Sequence, residues 1–269
     1  MTQELDATMS DRWPSIADAP ALALALALAG LGALSLISGD FAFQWQPIDA
    51  ALPARAQWAL ATGIVEVLAA LMISVPRTRK LGAFVVCALY LFWTLLHTPG
   101  ITRHPLDPAA WLGAAEPFSI ALGSLILLSA RDDRSDQPLV PILVQFYGAC
   151  AVIFGAAHFA YGPFTAAMVP AWLPMPLVLA YLTGSIHAGT GLALIIGFQR
   201  AFAAAIEAAM MTSFVLLVHV PRVLRQSGNR LEWTMMFAAL ALSASAWIVA
   251  HRLFALRKAP AAQAALTAP

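Results

Sequence analysis

The chain has 269 residues, of which 61% are hydrophobic and 11% charged, with a formal net charge of +1 and a mean hydropathy of +0.77. A water-soluble domain carries roughly 25% charged residues, so this composition excludes a water-facing surface, and the small net charge gives no footing for nucleic acid. Cys87 and Cys150 lie in hydrophobic segments without C-x-x-C spacing, which leaves thiol–disulfide chemistry without its usual apparatus.

Residues 1–19 are polar and carry four acids against one Arg. That is the wrong charge for a secretory leader, and the segment reads as a disordered cytoplasmic N-terminus ahead of a retained span. A helix needs about 20 apolar residues to cross a bilayer. Runs of that kind occupy 20–39, 56–75, 81–98, 112–130, 139–158, 177–198, 200–219 and 231–254. The hydrophilic break RDDRSDQP, 131–138, separates a first four-helix unit (20–130) from a second (139–257), and 258–269 is a low-complexity, disordered tail. The fold class expected is an all-α membrane protein, with eight transmembrane helices arranged as two parallel-topology four-helix bundles. No helix carries a clear Gly/Pro interruption.

With eight spans, Lys and Arg divide ten to five in favour of the side that holds both termini. This puts both ends in the cytoplasm and the protein in the inner (plasma) membrane as a multi-pass protein. Trp45, Trp58, Trp93, Trp111, Trp172 and Trp233 then fall near the outer face as an aromatic belt.

The two units repeat. GIVEVLAALMI (63–73) aligns with GSIHAGTGLAL (184–194), setting Glu66 on His187. LLHTP (95–99) aligns with LVHVP (217–221), setting His97 on His219, and DFAF (40–43) with HFAY (158–161), setting Asp40 on His158. Glu116 and Glu232 each open the fourth helix of their unit.

Ionisable side chains inside a membrane are costly and mark functional sites. Counting about 1.5 Å of rise per residue from Arg79 and Arg200, each unit sends one polar side chain per helix toward its outer end. The first set is Asp40, Glu66, His97 and Glu116, rich in oxygen and suited to a cofactor contact, a harder ion or a proton relay. The second is His158, His187, His219 and Glu232, three imidazoles and a carboxylate, which suits a transition metal. The end residues of both sets equally suit interfacial contact with water and headgroups. Glu207 stands apart, roughly 10 Å below His187 by the same arithmetic, as a candidate for a proton path. The apolar hairpins 43–55 and 162–176 are expected to fold over the outer mouths as caps.

The string HFAYGPF…MVPAWLPMP…YLTGSIHAGTGLAL, with a basic turn, two more helices and NRLEWT, resembles the DoxX/DoxD-like membrane family over 140–255. Residues 21–130 resemble it more loosely. The resemblance implies a four-helix unit, here duplicated, and a link to quinone-coupled oxidoreductase subunits and their redox partner subunits. At His187 this chain departs from the family's usual Glu. The function expected is thus a redox-associated subunit that binds a quinone or a transition metal near the outer face, an oxidoreductase subunit if an enzyme. The alternatives are a proton-coupled small-solute transporter and a non-catalytic scaffold. The lipid bilayer is a partner in every case.

Overall fold

A computed structural model describes residues 18–129 and 139–266, the side chains of Gln44 and 258–266 aside. The linker 131–138, most of the N-terminal segment and residues 267–269 lie outside the described residues. The described residues form no strand, and eight helices are long and apolar enough to cross a membrane. They are α1 (Ala19–Ser38), α2 (Arg55–Ser74), α3 (Arg79–Arg103), α4 (Pro108–Leu128), α5 (Leu139–Ala160), α6 (Pro176–Ile196), α7 (Arg200–Arg225) and α8 (Arg230–Arg257). Their outer faces carry large apolar side chains, among them Leu68, Leu81, Phe146, Ile206 and Leu216. A patch of that extent is tolerated in lipid and not in water. The chain is a multi-pass membrane protein.

Local chemistry fixes the helix ends. Gly39 and Gly197 take the left-handed conformation that closes α1 and α6, where a Cβ would be strained. The last carbonyls of a helix have no partner within it. Here the first residue of the next helix supplies one. Arg79 Nε donates to Ile73 O at 3.0 Å, and Arg200 Nε donates to Leu194 O at 2.9 Å. The two arginines thus cap the tight α2–α3 and α6–α7 hairpins. The final helix continues in backbone to Leu266, over the first part of the tail expected to be disordered. The segment is rich in alanine, the best helix former.

Helices adjacent in sequence pack side by side from α1 to α8, α8 returns onto α1, and α4 touches α8. Replacing every helix by the one four further on leaves these principal pairs unchanged. The same exchange maps single bonds onto one another. Thr62 bonds the carbonyls of Trp58 and Ala59, as Thr183 does those of Leu179 and Ala180. Trp111 Nε1 donates to Pro105 O and Trp233 Nε1 to Ser227 O, each six residues back.

The core runs through both halves and includes Leu28, Trp93, Ile120, Val144, Tyr147, Leu194 and Val249. Trp93 is therefore not part of an interfacial belt: it is 1% exposed and meets Phe41 edge-on. Close contact between α5 and α6 depends on glycine. A Cβ on Gly148 would lie 2.6 Å from Gly191 O, and one on Gly191 2.5 Å from Gly148 O.

Two long helices are interrupted, contrary to the sequence expectation. In α3, the α-helix stops at Leu96, His97 forms a turn, and a short helix resumes over Thr98–Arg103. In α7, a π-helical turn spans Val215–His219 before Val220–Arg225. The second unit carries one more residue between Arg200 and His219 than the first has between Arg79 and His97. A π turn takes up one residue more than an α turn, so the insertion keeps both histidines at corresponding places.

Candidate functional site

His158 and His187 meet as expected, Glu66 and Glu207 take partners that were not expected, and the second half holds the tightest group. His187, on the inner face of α6, and Glu207, on α7, are 1% and 0% exposed. His187 Nδ1 and Glu207 Oε1 are hydrogen-bonded at 2.6 Å. The other carboxylate oxygen is 2.7 Å from Thr190 Oγ1, one turn along α6 from His187. The short connection explains the meeting. Residues 197–199 turn the chain without adding rise, so His187 and Glu207 lie only a few ångströms apart in height and their side chains span the rest. The 10 Å separation expected from counting is corrected accordingly, and Glu207 does not stand apart.

His158 extends this pair. Its ring centroid is 5.0 Å from that of His187, and its Nδ1 is tied to Phe154 O at 2.8 Å. Phe154 and Phe214 close the sides, with centroids 5.6 and 6.0 Å from His187. His158 is half-buried while His187 and Glu207 are sealed. The three side chains form a file of protonatable groups leading inward from the half-exposed His158. The second ring nitrogen of His187 bonds no described residue. Tyr147, fully buried on α5, lies near Glu207 with its hydroxyl unpartnered.

The first half solves the same position differently. Glu66 Oε1 accepts from Tyr90 of α3 at 3.4 Å and from Gln46 at 3.3 Å, while Oε2 is buried without a partner. Glu66 and His187 thus each join the second helix of their unit to the third. Gln46 belongs to the hairpin after α1 and is 4% exposed. Its Oε1 accepts from Ala42 N at 2.8 Å. The hairpin dips into the bundle and plugs it.

The other candidates lie near the hairpins or the helix ends beside them. Asp40 pairs with Arg55 Nε at 2.8 Å. It does not correspond to His158 in space. The α1 side chain against Gly63 is Ser35, and the α5 side chain against Gly184 is His158, so Ser35 is the counterpart. His97 rests on Gly113 of α4 with Nε2 buried and unpartnered. Glu116, beside Pro117 inside α4, makes no side-chain bond to a described residue. Glu232 is held by Arg222 through two 2.7 Å bonds. That pairing corrects the metal set His158, His187, His219 and Glu232, because Glu232 is committed to Arg222 and His187 to Glu207. Among the described residues no three His, Cys, Asp or Glu side chains stand close enough to hold a metal ion.

The hairpins differ in exposure. Arg55 bonds Ile48 O and Asp49 O at 2.7 and 2.9 Å. Arg230, at the start of α8, bonds Asp40 O and Phe41 O at 2.8 and 2.6 Å and lies over Phe43. The second hairpin, with a short helix Gly162–Met168, leaves Phe164, Trp172 and Met175 more than 60% exposed. At its base Tyr161 donates to the Asp107 carboxylate, which also caps α4 by accepting from Ala109 N at 2.9 Å. The Tyr161 hydroxyl is the main reason the Asp107 carboxyl titrates below the usual range, with the Ala109 N–H second. By the same bond the Tyr161 phenol is raised. Sequence reasoning missed Gln46, Thr190 and Tyr90. Only the one-turn spacing of Thr190 from His187 was a usable signal.

Residues 24–111 match the model of a family described as a domain of unknown function, DUF8561. The match covers most of the first four-helix unit and ends inside α4. No curated protein and no solved structure matches the chain.

Proposed function

We propose that this is an inner-membrane protein with both termini cytoplasmic that takes up and passes protons through His158, His187 and Glu207, coupling them to the movement of a small solute. The observation that carries the reading is the His187–Glu207 pair at 2.6 Å. A carboxylate and an imidazole sealed among apolar helices are expensive to keep. They hold one exchangeable proton between them, and the half-buried His158 ring at 5.0 Å is the next acceptor outward. The repeated four-helix unit, with His187 and Glu66 at matching places, supplies the pseudo-symmetry transporters use.

A quinone-linked version of the reading rests on the same residues and on the DoxX-like resemblance. The free ring nitrogen of His187 is a hydrogen-bonding group for a quinone carbonyl. Proteoliposomes with an entrapped pH dye test the main reading. An imposed pH gradient should collapse through wild-type protein on addition of its solute, and Glu207→Gln should abolish this while leaving the folded protein intact by circular dichroism. Solvent extraction of the purified protein tests the quinone version. A stoichiometric bound quinone with no proton flux would replace the transport reading.

A further inference from the structure

At the end of the bundle opposite the hairpins, a cleft of about 240 Å³ opens between α1, α4 and α8. Its walls include Ala21 of α1, Ile126 and Leu127 of α4 and Ile248 of α8, and its polar rim holds Asp18, Arg79, His251 and Arg252. Arg79 is partly engaged: its Nε donates to Ile73 O, and Nη1 is paired with Asp18. Its Nη2 is buried with no partner. Arg252 makes no hydrogen bond or ion pair with a described residue, and its Nε is buried and unpartnered. One guanidinium charge is balanced by Asp18 and the other is balanced by nothing among the described residues.

We propose that this cleft binds the phosphate-bearing headgroup of an anionic phospholipid, with Arg252 as its principal contact and Arg79 as the second. A guanidinium offers a planar fork of donors that matches two phosphate oxygens at once. The apolar walls run from that rim into the membrane-spanning parts of α4 and α8, where acyl chains lie. Basic pockets between helices on the cytoplasmic side are recognised sites for such headgroups, and this end carries the larger share of Lys and Arg. None of the residues lining this cleft belongs to the His158, His187 and Glu207 file.

The full chain, purified in neutral detergent and delipidated, is titrated with phosphatidylglycerol, phosphatidylcholine or inorganic phosphate, with thermal stability and native mass spectrometry as readouts. Phosphatidylglycerol should bind one-to-one and raise the melting temperature, while phosphatidylcholine and inorganic phosphate leave it unchanged. Arg252→Gln should weaken phosphatidylglycerol binding about fivefold, the worth of one basic side chain near an anionic surface. Arg252→Lys should lose less, and the remote Arg103→Gln nothing. Equal shifts with the two lipids, full reproduction by inorganic phosphate, or unchanged binding in a folded Arg252→Gln protein would each overturn the proposal.

Discussion

His187 and Glu207 hold each other at 2.6 Å across the α6–α7 hairpin, with Thr190 on the second carboxylate oxygen. Removing one member strands the other in a place without water. Glu207→Ala should therefore destabilise by about 3 kcal/mol, toward the lower end of values for broken buried pairs. Glu207→Gln keeps an acceptor for His187 and should cost about 1 kcal/mol. A double-mutant cycle with His187→Ala, read by reversible unfolding in mixed micelles, should return a coupling of about 1–3 kcal/mol. Additive effects would mean that the two side chains do not act as a pair.

The α5–α6 contact gives a second expectation. Ala in place of Gly148 or Gly191 puts a methyl 2.5–2.6 Å from a backbone oxygen of the facing helix, and backbone cannot yield as a side-chain tip can. Each change should cost about 2 kcal/mol, within the range for overpacking. Gly189 lies on the same helix with nothing within 4 Å of its would-be Cβ. Gly189→Ala should be neutral or stabilising by up to about 1 kcal/mol, the helix preference of Ala over Gly. Thermal melts of the three variants in one detergent decide the matter.

Span positions were legible in the sequence because a bilayer reads only length and hydropathy. The observed helices start and stop within a few residues of the apolar runs, except where His97 and His219 carry α3 and α7 onward as short helices and where the last helix continues to Leu266. The Glu66/His187 equivalence was legible too, since both sit in the same frame of small residues beginning at Gly63 and Gly184. Partner choice was not. Heights counted along the chain include turn residues that add no rise, which separated Glu207 from His187. The likeness of DFAF to HFAY set Asp40 on His158, although packing against Gly63 and Gly184 makes Ser35 the counterpart. Gln46 carries no mark in sequence, because its role depends on the hairpin turning inward.

That hairpin is held by Arg230, which bonds Asp40 O and Phe41 O from the far half of the chain. Arg230→Gln should let the segment open more often. Ala42 is 3% exposed, so a cysteine in its place reports opening through its reaction with a water-soluble maleimide. Ala42→Cys should label slowly alone and about tenfold faster with Arg230→Gln, which corresponds to a loss of ~1.4 kcal/mol in closing. Cys87 and Cys150 are buried and form a low background. Equal rates in the two backgrounds would show that Arg230 does not hold the hairpin closed.

The Tyr161–Asp107 contact gives the pH dependence. Asp107 is depressed below its usual range, first by the Tyr161 hydroxyl and then by the Ala109 N–H. A carboxyl whose folded value is lowered contributes stability that is present above the unfolded value. That contribution is lost as pH falls through the folded one, so the window lies below the ordinary value of 3.8. Tyr161→Phe removes the first cause and leaves the cap on α4. The Asp107 carboxyl should then titrate closer to its ordinary value, and the acid limb of the protein's stability should move to higher pH. Carbon-13 shifts of Asp107 in wild type and Tyr161→Phe measure this directly. An unchanged titration would mean that the Tyr161 hydroxyl does not depress the Asp107 carboxyl.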